Sequence, residues 1–336
     1  MSTAADTEKR TDGRRTHGSP FYEFLTSNFS VLSIFLVFVV LFVFFSVRAD
    51  AFLTAENLVN VGRQIAPTVV VATLMTFVIT TGAIDLSVGS IVGLTASVLA
   101  LLAETGNPFL ALAATLGIGA AIGLLNGYLT AFGRLQSFIV TLAALTAVRG
   151  LALLITQGYS TPIEVGWLLT IGQGKFLGLY TPTWIAIATV GCGWYVFTQT
   201  RFGRYVVAVG SNDESLRRSG VDIRRIQLWA LALTGLFAAV AGVMVATRLA
   251  SGSSNSGTGF ELEVITAVVL GGTSLMGGRG SIVGTMIGAM TLGIISNGLV
   301  LLHVDVYWVP ITQGVILIVA IFLNSKLFTR IVGRFR

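Results

Sequence analysis

The sequence predicts an all-α polytopic membrane protein with about ten transmembrane helices, some of them broken or re-entrant. Of its 336 residues, 54% are hydrophobic and only 11% are charged, whereas soluble domains carry about 25% charged residues. Several apolar runs are long enough to cross a bilayer as helices. The basic residues gather in the polar segments beside those runs, as the positive-inside rule describes, which argues against a nucleic-acid partner.

Ten apolar segments are predicted to cross the membrane, between a polar tail over residues 1–30 and a basic tail over residues 325–336. Residues 31–324 therefore form one transmembrane domain, in which residues 200–227 are a charged loop. Phe52–Ile65 is amphipathic and is expected on the outer face, and Gln157–Thr183 is expected to be a long outer loop. The ten segments are Val31–Val47, Ala66–Thr81, Val88–Ala103, Phe109–Ala131, Phe138–Ile155, Trp184–Phe197, Leu228–Ala246, Val264–Leu275, Ile282–Leu302 and Tyr307–Leu323.

The basic residues give this arrangement its orientation. Of the 21 lysine and arginine residues, 16 fall in segments that are then cytoplasmic. Four fall outside, namely Arg48, Arg63, Lys175 and Arg248, and Arg149 alone lies within a span. A bias of this size is what the positive-inside rule gives for a correct orientation. We therefore expect both the N and the C terminus in the cytoplasm.

The chain offers few residues for catalysis or metal binding. Its single cysteine, Cys192, excludes an internal disulfide, and two histidines, His17 and His303, provide no haem pair or metal cluster. No serine or cysteine has a nearby base, and no GxxxxGK[ST] motif for nucleotide binding occurs. We expect no enzymatic activity, no catalytic residue, no metal site and no cofactor in this chain.

The charged loop contains a predicted short helix between Ser211 and Gly220. Ser211 and Glu214 form a capping box, Arg217 and Arg218 lie in the last turn, where they match the helix dipole, and Gly220 supplies a left-handed stop. An isolated helix needs about 12–15 residues to be even marginally stable in water. This one must therefore rest either on lipid headgroups or on a cytoplasmic protein. The residues expected to carry that contact are Ser211, Asn212, Glu214, Leu216, Arg217, Arg218 and Gly220.

Two polar, glycine-bounded segments interrupt the membrane pattern, Thr80–Ser90 and Gly271–Ser281. Each runs into the same five residues, Gly-Ser-Ile-Val-Gly, at 89–93 and at 280–284. Interrupted segments at corresponding places in two halves of a chain indicate an internal repeat whose broken helices line a substrate path. Irregular backbone at membrane depth is tolerated only inside protein or beside water. Both breaks should therefore face the interior or a cytoplasmic mouth.

Five motifs, in this order along the chain, resemble the membrane permease of bacterial ribose-type sugar ABC importers. They are GAIDLSVGSIVGL (Gly82–Leu94), LLNGYL (Leu124–Leu129), SFIVTLAALTAVRGLALLITQG (Ser137–Gly158), FGRYVVAVGSNDESLRRSGVDI (Phe202–Ile223) and LGGTSLMGGRGSIVGT (Leu270–Thr285). The likeness extends from about Asn57 to Leu323 and leaves out the N-terminal tail. It implies a multi-pass protein of the bacterial inner membrane.

The resemblance also implies a set of partners. A second permease subunit would complete a homodimer or heterodimer, a periplasmic sugar-binding protein would deliver the substrate, and a cytoplasmic double-cassette ATPase would bind ATP and magnesium. In that family the loop matching Ser211–Gly220 docks on the ATPase, which favours a protein partner over membrane lipid for this helix. The resemblance leaves open which sugar or polyol is carried.

Two charged residues within the apolar pattern are candidates for the substrate pathway. Asp85 either caps the helix that starts at Leu86–Ser87, whose dipole welcomes a negative charge, or contacts substrate. Arg149 lies in a span, where an unpaired charge is costly. It either forms a buried pair with Glu164 or a carbonyl group, lines the path, or snorkels to the outer surface.

Polar residues complete the candidate set. Asn126 and Asn297 each precede a glycine inside a span, where they either bond sugar hydroxyls or join helices. Glu261 and Glu263 precede the second break in a predicted outer loop, where they either dock the binding protein or are simply solvated. The full candidate path is Asp85, Ser87, Asn126, Thr141, Arg149 and Asn297.

An ATP-driven permease for a monosaccharide or related polyol is the function that these features favour. The alternative from a different class is an ion-coupled secondary sugar transporter, which also uses broken helices. Such a transporter usually needs carboxylates in the membrane as coupling groups, and the sequence has little beyond Asp85. A membrane enzyme or redox subunit lacks the histidines and nucleophile–base pairs it would need.

Overall fold

The computed structural model describes residues 29–305 and 307–324, so the two predicted tails lie almost wholly outside the described residues. In this part the chain folds into thirteen α-helices. In chain order they are α1 Phe29–Arg48, α2 Ala55–Thr80, α3 Val88–Ala103, α4 Pro108–Ala131, α5 Ser137–Thr156, α6 Gly166–Gln173, α7 Thr181–Gln199, α8 Arg201–Ser211, α9 Asp213–Arg218, α10 Ile223–Leu249, α11 Phe260–Leu270, α12 Ile282–Leu301 and α13 Trp308–Asn324.

Within the same described ranges, four strands of two residues each form two small antiparallel ladders. They are β1 Thr161–Pro162, β2 Lys175–Phe176, β3 Leu179–Tyr180 and β4 Ser251–Gly252. Strand β1 pairs with β4, and β2 pairs with β3 in a hairpin. The first ladder ties the segment after α5 to the end of α10. The predicted outer loop 157–183 is therefore structured, with α6 and three of the strands inside it.

The helices fit an all-α polytopic membrane protein. Among the thirteen helices of the described part, six are long and apolar enough to cross a bilayer: α1, α2, α4, α5, α10 and α12. The apolar helices α3 and α13 are shorter. Each of the ten predicted spans coincides with a helix, although α11 has only 11 residues and ends at Leu270 rather than Leu275. The all-α class is confirmed, while a count of ten membrane crossings stays a prediction.

The amphipathic segment Phe52–Ile65 is not separate from the span that follows it, and its place on the outer face stays a prediction. Residues 55–65 form the first part of α2, a continuous helix of 26 residues whose N-cap, Thr54, accepts a hydrogen bond from the Asn57 amide. Pro67 lies inside the helix, where it has no amide proton to donate. The helix continues because its second half is buried on all sides, and tertiary packing outweighs a local helix-breaking residue.

The core of the bundle surrounds α2, α3 and α10. Val70 and Met75 of α2, Ile91 of α3 and Leu231 of α10 are completely or almost completely buried in one cluster. Helix α10 packs along α4, α3 and α2, and α11 packs against α12, α2 and α13. Helices α4 and α5 leave large apolar side chains exposed, as lipid-facing helices do.

Helix α2 connects two chemically different ends of the bundle. Near its start, the Arg63 guanidinium lies over the Tyr180 ring, 4.2 Å from the centroid, and the Lys175 ammonium lies 4.6 Å from the same centroid. At its end, the Thr80 carbonyl accepts a hydrogen bond of 2.9 Å from the Gly278 amide. The basic residues predicted outside thus lie at the end of the bundle where α2 starts. The two polar interruptions of the membrane pattern, Thr80–Ser90 and Gly271–Ser281, lie together at the end where α2 stops.

Candidate functional site

The charged segment folds into two helices, α8 and α9, and differs from the predicted capping box. Ser211 is the last residue of α8, and its hydroxyl donates to the Val207 carbonyl at 2.8 Å. Asn212 caps α9 instead, through a hydrogen bond of 2.9 Å from the Ser215 amide to its side-chain oxygen. The Ser211–Glu214 capping box is wrong, because α8 already supplies an acceptor for the serine.

Helix α9 rests on the protein's own core. Leu216 is half-buried and packs against the main hydrophobic cluster. Glu214 pairs with Arg218 at 3.1 Å, and both side chains are largely exposed. Gly220 follows with φ of +79°, which confirms the left-handed stop. The helix therefore uses its one apolar residue as an anchor and presents its charged residues to the surroundings.

Helix α8 is in backbone contact with both breaks of the membrane pattern. A Cβ atom added at Gly210 would overlap the Thr80 carbonyl oxygen and the Gly278 amide nitrogen. The Ser211 hydroxyl also reaches the Gly278 carbonyl at 3.4 Å. Only a glycine lets the three segments come this close. Helix α8 is therefore in direct contact with the end of α2 and with the 271–281 loop.

Four of the predicted pathway residues form one buried network around the first break. Asp85 Oδ1 accepts hydrogen bonds from the Ser87 amide at 2.9 Å and the Ser87 hydroxyl at 2.6 Å. Asn126 on α4 donates to the same hydroxyl at 2.9 Å. Thr141 on α5 donates to the Ile84 carbonyl at 3.2 Å. The network clamps the 81–87 loop between α4 and α5.

Asp85 occupies the position that the cap interpretation predicts. Ser87 is the N-cap residue of α3 but makes no capping bond with its own side chain, and Asp85 binds its amide instead. The second carboxylate oxygen of Asp85 is buried without a hydrogen-bond partner among the described residues. Burial raises the pKa of Asp85 to about 6, against the lowering effect of the two Ser87 hydrogen bonds.

Arg149 holds a loop through its guanidinium group. One terminal nitrogen donates to the Ser254 carbonyl and, at 3.2 Å, to the Ser256 carbonyl. The other donates to the Gly257 carbonyl at 3.1 Å. Glu164 is exposed and forms no ion pair with it in the described part of the chain. Of the alternatives for Arg149, the geometry favours buried bonding to carbonyl groups.

Asn297 lies apart from the other pathway candidates. Its side-chain amide exchanges two hydrogen bonds with that of Asn57, at 2.9 and 3.0 Å, and Asn57 also donates to the Phe52 carbonyl at 2.9 Å. This reciprocal pair joins α12 to the first turn of α2. The observed contact is thus the interhelical bond that was one alternative for this residue.

Glu261 and Glu263 lie in the first turn of α11 and not in a loop, which corrects that part of the prediction. Both are half-buried. Glu263 accepts a hydrogen bond of 2.9 Å from the Thr68 hydroxyl. One oxygen of Glu261 is buried beside Gly89 without a partner in the described structure. Their role in docking a binding protein stays a prediction.

A polar cavity of about 370 Å³ opens beside Glu263. It lies between α2, α10, α11, α13 and the loop that Arg149 holds. Its polar side chains are Gln64, Thr68, Arg248, Thr258, Glu263, Thr266 and Gln313. Of these, the sequence singled out only Glu263 as a site residue. Arg248 was visible as a charge at the end of a span, but nothing local places it opposite Glu263.

The pathway candidates therefore fall into three separate places. Asp85, Ser87, Asn126 and Thr141 share the network at the first break, Arg149 holds the 254–257 loop, and Asn297 binds Asn57. None of these six residues lines the polar cavity. Among the described residues no group of histidine, cysteine, aspartate and glutamate side chains has the arrangement of a metal site.

Comparison with known proteins gives one family. Residues 57–321 match the family described as the permease component of branched-chain amino acid transport systems. The ribose import permease protein RbsC of Escherichia coli K12 is 41% identical over 294 residues, which cover 85% of this chain and 91% of that protein. No solved structure matches the chain.

Two further relatives are permeases named for other pentoses. The L-arabinose ABC transporter permease protein AraH of Azospirillum brasilense is 36% identical over 293 residues, covering 87% of this chain and 86% of the relative. The xylose transport system permease protein XylH of Escherichia coli K12 is 32% identical over 362 aligned positions, covering 89% of this chain and 92% of the relative. The similarity therefore spans the described bundle and not one segment of it.

Proposed function

Since the chain belongs to this family of importer permeases, we propose that it is the membrane permease subunit through which an ATP-driven ABC importer carries a monosaccharide or related polyol. The observation that carries the proposal is the identity of 41% to a ribose import permease over most of both chains. Relatives named for arabinose and xylose support the same class of cargo. The family description names branched-chain amino acids, so an amino acid is the cargo to test against.

The proposal includes a set of partners and a location. Two permease subunits, identical or related, form the path in the bacterial inner membrane, with ten spans each and both termini in the cytoplasm. A periplasmic binding protein delivers the sugar, and a double-cassette ATPase in the cytoplasm binds ATP and magnesium. The permease itself needs no cofactor.

The ATPase docks on α8 and α9 in this proposal. Three features support it: α9 is anchored through Leu216, its charged residues are exposed, and α8 contacts both chain breaks through Gly210. A rigid body pushing on α8 and α9 would therefore press on the end of α2 and on the loop that leads into α12. Lipid headgroups would supply no such directed force.

Reconstitution tests the function. The permease, its ATPase and its binding protein are placed in proteoliposomes, and uptake of radiolabelled D-ribose, L-arabinose, D-xylose and L-leucine is measured. We expect uptake of at least one pentose that requires ATP and continues after the proton gradient is collapsed. Pentose uptake driven by a pH or sodium gradient without the ATPase would establish the secondary transporter instead. Uptake of leucine alone would overturn the choice of a sugar.

A further inference from the structure

We infer that the polar cavity between α2, α10, α11 and α13 is a binding site for an uncharged polyhydroxy ligand, with Glu263 and Arg248 as its two charged walls. The inference rests on the proposed function, which makes a sugar the cargo. It adds a place within the permease where that cargo is held. Of the candidate site residues named from the sequence, only Glu263 lines this cavity.

The cavity has the size and lining of a small-molecule site. Its volume of about 370 Å³ falls in the range of about 300–1,000 Å³ that is typical of ligand pockets. Its apolar lining includes Phe260 and Leu317, and its polar side chains come from four helices and one loop. Polar groups converging on one space from separate elements fix the orientation of a ligand.

The two charged walls attract each other across the cavity but do not touch. Within the described residues, neither Arg248 nor Glu263 forms an ion pair. Arg248 makes one long hydrogen bond, 3.4 Å to the Gln64 carbonyl, and Glu263 accepts one, from Thr68. A guanidinium group has five donors and a carboxylate has about four acceptor sites. Most donors of Arg248 and most acceptor sites of Glu263 therefore remain available to a ligand in the cavity.

The balance of charge indicates the chemistry of the ligand. One cation and one anion face each other across neutral amides and hydroxyls, so an ion of either sign would be repelled from one wall. A sugar hydroxyl is both donor and acceptor. Neighbouring hydroxyls can donate to Glu263 and accept from Arg248 at the same time. A zwitterionic amino acid could also bridge the two charges, and the experiment separates these ligands.

Arg149 positions one wall of this site. Its guanidinium group binds the carbonyls of Ser254, Ser256 and Gly257, and Gly257 and Thr258 line the cavity. A loop fixed by three hydrogen bonds keeps its shape when no ligand is present, and such pre-organisation reduces the cost of binding. The charged guanidinium group of Arg149 is therefore explained by its hydrogen bonds to this loop, although the rest of the helix is largely apolar.

The test uses the complete reconstituted transporter with two variants and matched controls. Glu263→Gln removes the negative wall, and Gly314→Phe adds bulk at a cavity position where a Cβ atom meets nothing within 4 Å. Glu56→Gln changes an exposed carboxylate on α2. Gly117→Phe adds the same bulk at an exposed helical glycine that also has nothing within 4 Å. Each complex is matched for co-purified ATPase and for ATP hydrolysis without binding protein.

We expect Glu263→Gln to reduce uptake of the pentose that the wild type carries about tenfold or more, since it weakens a hydrogen bond to a charged group. Gly314→Phe should reduce it at least as much, while both controls transport normally. Wild-type-like uptake by both cavity variants would overturn the binding site. If the wild type itself shows no ATP-dependent sugar uptake, the proposed function fails first.

A binding measurement distinguishes ligand contact from a structural role. The only cysteine, Cys192, is exposed and is changed to serine, and Gln64→Cys places a thiol on the cavity wall. The transported pentose should slow the reaction of this thiol with a maleimide in the purified complex, and L-leucine should not. Equal reaction rates with and without that pentose would contradict the inference, and protection by leucine alone would make this an amino-acid site.

Discussion

Asp85 shows how one buried carboxylate can connect three elements. It binds the amide at the start of α3 and the hydroxyl of Ser87, which in turn receives the amide of Asn126 on α4. The sequence predicts the first contact, because Asp85 lies two residues before a helix start. It does not predict the hydrogen bond from Asn126 to Ser87, because Asn126 lies 39 residues after Ser87 and the direction of its side chain depends on how α4 packs.

Replacement of Asp85 should separate its role as an acceptor from its charge. In Asp85→Asn the amide oxygen can accept both Ser87 hydrogen bonds, so transport should be largely retained. In Asp85→Leu the Ser87 amide and hydroxyl lose their acceptor in a buried place, which costs about 1–3 kcal/mol for each unsatisfied group. Uptake and thermal unfolding of the purified complex measure the two effects. Equal and complete loss of transport in both variants would show that the negative charge itself is required.

The stability difference between wild type and Asp85→Asn should also depend on pH. The folded-state pKa is raised from 3.8 to about 6, so the folded protein binds the proton more tightly than the unfolded chain does. The stabilisation from protonation is therefore present at low pH and is lost as the pH rises through 6. Between pH 7.5 and pH 5 the wild type should gain about 1 kcal/mol relative to Asp85→Asn. If the stability difference between the two proteins does not change with pH, the pKa of Asp85 is not raised in the folded protein.

At the scale of elements, the sequence predicts the short helix of the charged segment correctly but predicts the wrong N-cap residue. Charge runs between apolar segments indicate a polar excursion, and Asp213, Arg218 and Gly220 predict the short helix correctly. The sequence pattern places the cap at Ser211 because it does not indicate that residues 201–211 form the preceding helix α8. Once residues 201–211 are helical, the Ser211 hydroxyl binds back to Val207 and the capping position passes to Asn212.

Docking of the ATPase on α9 should depend on the shape of the helix more than on its arginines. Leu216→Asp removes the half-buried anchor, and Gly220→Pro excludes the positive φ of +79° that ends the helix. Both variants should insert in the membrane but lose co-purified ATPase and stimulated ATP hydrolysis. Paired replacement of Arg217 and Arg218 by glutamine should cost less, because exposed ion pairs contribute about 0–1 kcal/mol.

Ser215→Asp is the control for these variants. It introduces the same charge one residue before Leu216, on an exposed side chain of α9. It should leave the complex intact. If Leu216→Asp keeps full ATPase binding while the arginine pair loses it, a charged lipid surface holds the helix and the docking site lies elsewhere.

At the scale of the whole molecule, hydrophobic run length predicts the bundle but not its interior. Each apolar run became a helix because backbone groups in lipid must bond within their own segment. The polar cavity needs Arg248 at the end of α10 to face Glu263 at the start of α11. That geometry depends on the 250–259 connection, the β1–β4 ladder and the Arg149 bonds. None of these long-range contacts has a local signal in the sequence.

The orientation of the bundle can be tested with two cysteines at opposite ends of α2. From Arg63 to Thr80 the helix rises about 26 Å, close to the thickness of the hydrocarbon core of about 30 Å. Leu177 is 76% exposed in the β2–β3 hairpin beside Arg63, and Met276 is 86% exposed in the loop beside Thr80. In a Cys192→Ser background, Leu177→Cys and Met276→Cys therefore report on the two sides of the membrane.

Because 16 of 21 basic residues fall on the side of Met276 or in the tails, the Met276 end should face the cytoplasm. A membrane-impermeant maleimide added to intact spheroplasts should label Leu177→Cys, and it should label Met276→Cys only after permeabilisation. The unmodified Cys192→Ser protein gives the background. Labelling of Met276→Cys alone from outside would show that the bundle has the opposite orientation. Helix α9 would then be out of reach of any cytoplasmic ATPase. Labelling of both positions from outside would mean that α2 does not cross the membrane.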